Sequence, residues 1–270
     1  MADVYRVFVR ALQNLWGPGY WVAWPPSQRL SLGDVGVIEK GLFVRTEGLA
    51  ELGVDVSAEA GSARASLTYD SGGTASVTFK ASGDSPTGFQ GLAQADAGAL
   101  VQFGTANGVL CVYDDLRETR VQRLEPLTAT LIEWFWAGRW REDHAVVTHL
   151  VSARSATILV GAASGAQAEL RASATAGGGP ATLGQLGANM SVARRQHIGF
   201  ELVGSGLTPF FRLLRLRRTF MGRITTQHGR GAGPAQRPVP VEVMEEALES
   251  PASVFEEFDQ LTAIDVGDRR

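Results

Sequence analysis

The chain has 270 residues, of which 28 are acidic and 25 are basic, and its formal net charge is −3 at pH 7. This length is ample for one large domain with an appendage, and the near balance of charge gives no indication of nucleic-acid binding. The single cysteine, Cys111, excludes an internal disulfide, and we expect it to be a small buried side chain in a cytosolic protein. No apolar run of about 18 residues and no signal-peptide pattern is present.

Charge is unevenly distributed along the chain. Residues 240–270 contain nine acidic and two basic residues, a net charge of −7, which leaves +4 for residues 1–239 because the whole chain carries −3. An acidic end that follows a mildly basic body is typical of a segment that interacts with a partner or masks its own body. A solvated helical face would have the same composition, so both interpretations stay open.

The first half of the chain predicts a helix followed by short strands. Residues 3–16 place Val4, Phe8 and Leu12 on one helical face, which suits a helix that touches a membrane or one that packs on a sheet; we favour packing. The alternation in residues 66–80, around a turn at 70–73, predicts a β-hairpin. Residues 90–103 are rich in small side chains and predict a helix, and 109–113 predict a buried strand.

The middle of the chain predicts a helix and then a series of strands. Pro126 is placed to begin a helix, and the aromatic cluster that follows suits core packing somewhat better than a membrane interface. This cluster comprises Trp134, Phe135, Trp136 and Trp140. Residues 145–153, 188–193 and 197–203 have strand-like alternation, and 155–176 predict a second hairpin with a weak apolar face.

A basic amphipathic segment, residues 208–223, precedes a linker. It interleaves apolar side chains with Arg212, Arg215, Arg217, Arg218 and Arg223. Such a segment attracts anionic lipid, at about 1 kcal/mol per charge near the surface, but a final strand with exposed arginines would look the same. The composition of residues 221–240 predicts a flexible linker open to proteases.

The last segment, residues 241–264, predicts an acidic amphipathic helix that is broken near Pro251. We expect its apolar face to dock on the body, the one partner that the chain itself provides. The residues predicted to form this face are Met244, Leu248, Phe255, Phe258 and Leu261.

Familiar catalytic motifs are absent from the sequence. It contains no GxxxxGK[ST] phosphate loop, GxSxG elbow, HExxH helix or CxxC pair. His144 and His149 are five residues apart in a predicted strand, so they lie on opposite faces and do not predict a metal site. We therefore expect no enzymatic activity, cofactor or metal; a hydrolase that uses Cys111 is the remaining catalytic alternative.

Taken in order, these segments resemble a bacterial gasdermin, a family of pore-forming proteins. The resemblance lies in the succession of 124–127, 145–151, 156–160, 186–192 and 198–202, within residues 66–218. It implies an α+β fold, with a twisted, mainly antiparallel sheet flanked by helices and a helical C-terminal tail. Bacterial gasdermins usually carry a lipidated cysteine near the N-terminus, and this chain has none there.

The resemblance also implies that three successive segments of the chain have different functions. Residues 1–220 would be a pore-forming body, 221–240 a linker cut by an activating protease at Arg223 or Arg230, and 241–270 an inhibitory helix. Removing the tail would expose Arg212, Arg215, Arg217 and Arg218 to anionic lipid, and the two hairpins would extend and join those of neighbouring subunits.

On this expectation the intact protein is a cytoplasmic monomer, and the cut protein is a homo-oligomer that permeabilises the inner membrane in antiphage cell-death immunity. It has no cofactor and no nucleic-acid partner. The alternative from another class is a non-catalytic scaffolding module whose acidic tail recruits a partner protein.

Overall fold

Two antiparallel sheets with helices packed against the larger one form the described part of the chain. The computed structural model describes residues 4–79, 98–172, 190–228, 238–257 and 259–267. The helices are α1 (Val4–Leu12), α2 (Leu124–Trp136), α3 (Arg218–His228), α4 (Val241–Glu249), α5 (Pro251–Val254) and α6 (Gln260–Gly267). This agrees with the predicted α+β class with mainly antiparallel strands.

The strands divide into a sheet of eight and a sheet of four. They are β1 (Trp21–Val22), β2 (Asp34–Glu39), β3 (Leu42–Gly48), β4 (Ala58–Asp70), β5 (Ala75–Phe79), β6 (Gly98–Phe103), β7 (Val109–Val121), β8 (His144–Gly161), β9 (Gln167–Ala172), β10 (Met190–Gln196), β11 (Ile198–Leu216) and β12 (Phe255–Glu256). The smaller sheet has the order β10-β9-β6-β5, and all the others belong to the larger sheet.

β8 is the central strand of the larger sheet. It pairs with β11 on one side along most of its length. On its other side it pairs first with β2, through residues 144–146, and then with β7, through residues 149–160. β4 continues the sheet beyond β7, and β12 adds two residues beside the end of β11. The separate strands predicted at 145–153 and 156–160 are therefore parts of one strand.

Alternating side chains of β7 supply two different cores. Cys111 and Tyr113 face α1, where they pack with Phe8 and Leu12. Leu110 and Val112 face the smaller sheet and belong to another core cluster. This alternation is the period-two pattern of a strand that is covered on both faces. The predicted packing of the N-terminal helix on a sheet is confirmed, since Phe8 and Leu12 are fully buried.

The aromatic side chains in the last turn of α2 and just after it belong to a separate core. Trp134, Phe135 and Trp140 are buried in a cluster that also includes residues of α2 and α3. The rings of Trp134 and Trp140 have their centroids 6.3 Å apart. The prediction that these aromatics pack in the core is confirmed.

Both predicted hairpins are wrong. β4 pairs with β7 and β5 pairs with β6, so the turn at residues 71–73 passes the chain from one sheet to the other. Likewise, the end of β8 pairs with β7 and β11, whereas β9 pairs with β6 and β10. Alternation identifies a strand and its buried face, but the partner is chosen by long-range packing.

Two further predictions differ from the structure. The predicted helix at 90–103 ends as strand β6, in which Ala99, Val101 and Phe103 are fully buried at period two; residues 80–97 lie outside the described range. The predicted linker at 221–240 begins as helix α3, whose Met221 and Ile224 are buried. Because these side chains fill the core beside α2, residues 221–228 are part of the fold.

Candidate functional site

The acidic C-terminal tail, residues 238–267 as far as they are described, covers the basic end of β11. β12 pairs antiparallel with β11, so that Arg215 lies opposite Glu256. The Nε atom of Arg215 lies 2.5 Å from Oε1 of Glu256, and each side chain is about one-quarter exposed. Nη2 of Arg217 donates to the carbonyl oxygen of Phe255 at 3.0 Å. The tail thus partners two of the arginines that the sequence predicts to bind lipid.

A second ion pair joins the tail to α3. Nη2 of Arg223 lies 2.6 Å from Oε1 of Glu246, and the Arg223 guanidinium stands over the ring of Phe220, 5.5 Å from its centroid. The hydrogen bond from Arg223 lowers the pKa of Glu246. Because both side chains are about half exposed, the pair orients α4 more than it stabilises it.

Apolar contacts bind the tail more strongly than these charges do. Val243 and Ala247 of α4, Val254 of α5 and Phe255 of β12 are all buried in the cluster that contains the α2 and α3 side chains. Phe255 is only 3% exposed. Burying a valine or phenylalanine side chain contributes about 1.5–3 kcal/mol, so Val243, Val254 and Phe255 dominate the docking.

The end of the tail occupies a second position, beside the N-terminal helix. The side chain of Gln260, only 2% exposed, accepts from the backbone N–H of Val22 at 2.8 Å and donates to the carbonyl oxygen of Val22 at 3.0 Å. Ile264, one helical turn later, is 3% exposed and packs in the core cluster of α1. Nε2 of Gln13 donates to Asp259 at 2.9 Å.

Arg212 links this part of the tail to the sheet. Its Nη2 donates to the carbonyl oxygen of Pro18 at 2.6 Å, and its guanidinium lies over the ring of Tyr20, 4.7 Å from the centroid. Nη1 is 3.6 Å from a carboxylate oxygen of Glu257. The side chain is only one-quarter exposed, so it is not the open basic site that the sequence predicts.

A group of titratable side chains surrounds Arg212. The hydroxyl of Tyr20 donates to Glu118, which also accepts from the backbone N–H of Ser62 at 2.9 Å. Burial opposes ionisation of Glu118, but the hydrogen bonds from Tyr20 and Ser62 lower its pKa overall. Burial first, and then the positive charge of Arg212, lower the pKa of His149 to about 4. His149 is therefore neutral at pH 7.

The predicted lipid-binding and cleavage-site arginines lie in different surroundings in the structure. Three of the four predicted lipid-binding arginines contact the tail, and Arg218 is exposed at the start of α3. Arg223, a predicted cleavage site, lies within a helix; Arg230, the other one, lies outside the described residues.

The residues predicted to form the apolar face of the tail differ in burial. Phe255 is buried, and Met244 and Leu261 are half-buried against core clusters. Leu248 is 39% exposed, so its assignment to the docked face is wrong. Phe258 lies outside the described residues.

Sequence reasoning missed the residues that α4 and α6 bury most deeply. Val243 and Ala247 have the i, i+4 spacing of a helical face, but the neighbouring set that includes Met244 and Leu248 is more apolar. Gln260 carries no such signal, since a glutamine in an acidic helix is expected at the surface.

An open cleft of about 700 Å³ lies where α5 meets the beginning of α2, lined by residues 122–126 with Pro251 and Ala252. The described residues contain no group of three or more His, Cys, Asp or Glu side chains that could hold a metal ion. Among the helices of the described ranges, none is both long enough and apolar enough to cross a membrane. Cys111 is fully buried, and burial raises the pKa of its thiol.

Comparison with known proteins returned no family assignment: no protein-family model matches the chain, and no curated protein matches it.

Proposed function

We propose that this protein is an autoinhibited, gasdermin-like pore-forming protein whose body is held inactive by its C-terminal tail. Proteolytic removal of the tail activates it to oligomerise and permeabilise a membrane. The observation that carries the proposal is the pairing of the basic end of β11 with the acidic tail, through Arg215 and Glu256 and through Arg217 and the Phe255 carbonyl oxygen.

Tail removal has two physical consequences that suit this function. It leaves Arg212, Arg215 and Arg217 without their tail partners, so their charge becomes available to anionic headgroups. It also uncovers the apolar surface of α2 and α3 that Val243, Ala247, Val254 and Phe255 now cover. A basic surface next to an uncovered apolar one favours adsorption to an anionic bilayer.

The helix boundaries support a cleavage site outside α3. Arg223 lies in α3 and is paired with Glu246, so a protease would have to unfold the helix before it could cut there. We therefore place the activating cut in residues 229–237, between α3 and α4. Arg230 is the trypsin-like candidate in this interval.

Dye release from liposomes tests the proposal. A recognition sequence for a sequence-specific protease is introduced within residues 229–237, the protein is cut, and the tail fragment is removed by mild denaturant and gel filtration. We expect release from anionic liposomes by the tail-free body, and none by the uncut protein or by a cut-resistant variant with a scrambled recognition sequence. Zwitterionic liposomes control for the role of charge.

A refolded, tail-free body that leaves anionic liposomes intact would exclude pore formation. The scaffolding alternative then becomes the better account, and a pull-down with the acidic tail as bait is the experiment that follows.

A further inference from the structure

The end of the tail is recognised by a specific binding site on the N-terminal part of the body. This site, called the α6 seat, consists of the backbone of Val22 in β1, Gly41 in the β2–β3 turn, and the side chains of Tyr5 and Gln13. Tyr5 donates its hydroxyl to the carbonyl oxygen of Gly41 at 2.7 Å, which fixes the turn against α1. The seat is therefore assembled from three separate elements.

Gln260 completes the hydrogen bonding of a strand. β1 is only two residues long, and it pairs with β11 on one side through Trp21 and Val22. On the other side, the amide of Gln260 both accepts from and donates to Val22, as a neighbouring strand residue would. A buried backbone N–H and C=O each need a partner, and the glutamine amide supplies both. A carboxylate can accept but cannot donate, so glutamate does not meet this requirement.

The shape of the seat at Gly41 is a second determinant of α6 binding. A Cβ atom added at Gly41 would lie 2.3 Å from Cγ1 of Ile264 and 2.9 Å from the hydroxyl of Tyr5. Gly41 also has a φ of 78°, where side chains are disfavoured. The turn therefore presents bare backbone to α6, and Ile264 packs directly on it. A glutamine followed four residues later by a branched apolar side chain, on one helical face, is what the seat fits.

We propose that the α6 seat is a peptide-binding site that takes the tail in trans: the released fragment, residues 238–270, binds the cut body through Gln260 and Ile264. None of the contacts between α6 and the seat requires chain continuity. The covalent link contributes only an effective concentration. Cleavage alone then leaves a two-chain complex, and dissociation of the fragment is the step that frees the body.

This inference concerns the binding site of the tail and holds whether or not the body acts on membranes. The α6 seat is separate from the surface of α2 and α3 that the preceding part of the tail covers. The seat belongs to the core cluster of α1, whereas that surface belongs to another core cluster. The seat recognises hydrogen-bonding groups and shape, whereas the basic end of β11 recognises charge.

Fragment exchange tests the proposal in the absence of membranes. Protein cut at the recognition sequence within 229–237 is kept as it is, with its fragment, and a fluorescently labelled synthetic fragment 238–270 is added. We expect the cut protein to elute as one complex, and fluorescence polarisation to rise as the labelled fragment replaces the unlabelled one. Unlabelled fragment should compete in proportion to its concentration.

Variant fragments identify the recognition residue. Gln260→Glu and Gln260→Met should each compete about 10- to 100-fold less well, because neither side chain can donate to the buried carbonyl oxygen of Val22. Thr262→Glu adds the same charge as Gln260→Glu on the exposed side of α6 and should compete like the natural fragment. Only the fragments are varied, so the fold of the body is not at issue.

Two results would overturn the inference. One is a failure of the labelled fragment to bind the cut protein at any concentration. The other is equal competition by the natural, Gln260→Glu and Gln260→Met fragments, which would place the affinity entirely in α4, α5 and β12. Neither result depends on dye release, so the test separates this inference from the proposed pore formation.

Discussion

Arg215 and Glu256 lie directly opposite each other across the junction between β11 and β12, with Nε and Oε1 2.5 Å apart. The junction joins the last long strand of the body to a strand of only two residues in the tail. Side chains directly opposite each other in an antiparallel pair stabilise its register, and opposite charges do so while like charges destabilise it. This pair therefore specifies where the tail docks as well as how firmly.

Reversing one charge of this pair should loosen the tail, and reversing both should restore part of the loss. Arg215→Glu places two carboxylates opposite each other at β12, and we expect it to lower the free energy of unfolding by about 1–2 kcal/mol. The double variant Arg215→Glu, Glu256→Arg should recover roughly half of this loss. Denaturant unfolding of the four proteins gives the coupling energy.

Arg141 and Asp143 provide the matched control. They form an ion pair at 2.7 Å, but both side chains are largely exposed, so the same reversal there should change stability by less than about 0.5 kcal/mol. Equal effects at the two pairs would show that the β11–β12 junction does not depend on charge.

Apolar burial should contribute more to tail docking than charge does. Phe255 is 3% exposed within the core cluster of α2 and α3, and Phe255→Ala should cost about 3–5 kcal/mol. Leu248→Ala, in the same tail but at a 39% exposed position, should cost less than about 1 kcal/mol. Urea unfolding followed by circular dichroism measures both. A Leu248→Ala effect as large as that of Phe255→Ala would contradict the observed orientation of α4.

The sequence predicts which segments are strands better than it predicts their partners. The alternation at residues 66–80 correctly marks two strands, but Tyr69 pairs with Cys111, and Phe79 pairs with Ala99. Local pattern determines which face is apolar, and a two-sheet fold offers each such face more than one place to pack. The partner is decided by contacts between distant residues, which periodicity does not report.

At the candidate site, too, the sequence predicts the kind of segment better than the contacts that the segment makes. Charge asymmetry suits an acidic tail that meets a basic body, and equally a solvated helical face, because composition reports the sign of a long-range attraction but not the contact. Which face of α4 is buried depends on the shape of the surface on which the helix packs. Gln260 contacts Val22, 238 residues away in the sequence, and no local pattern connects a polar helix residue with the open edge of a two-residue strand.

Trypsin should not make its first cut at Arg223. This side chain is held by Glu246, and the backbone around it is helical, so cutting requires α3 to open locally. We expect the earliest fragments of the native protein, identified by mass spectrometry, to end elsewhere. Glu246→Ala removes the ion pair while leaving α3 packed through Met221 and Ile224, and should not create an early cut at Arg223. A dominant early fragment ending at Arg223 would contradict the structure.

Stability should fall as the pH is lowered from 7 to 4, and His149 should account for part of the fall. In the unfolded chain its pKa is about 6.5, whereas in the fold burial and the charge of Arg212 lower it to about 4, with Arg120 adding to the shift and Glu118 opposing it. Between these two values the unfolded state binds more protons, so the free energy of unfolding rises with pH across this window. Allowing for the partial exposure of the ring, we expect a contribution of about 1–2 kcal/mol.

His149→Gln separates this contribution from that of the carboxylates. The lowered pKa of Glu118 also removes stability on acidification, but only below the pKa of an unfolded glutamate, about 4.3. Denaturation midpoints measured between pH 7 and pH 4.5 should therefore depend less on pH in His149→Gln than in the natural protein. The variant His197→Gln removes a histidine with an exposed side chain outside this cluster, and it controls for the loss of one histidine. If the midpoint depended on pH identically in all three proteins, His149 would have the same pKa in the folded and unfolded chains. That result would contradict a buried, neutral His149 beside Arg212.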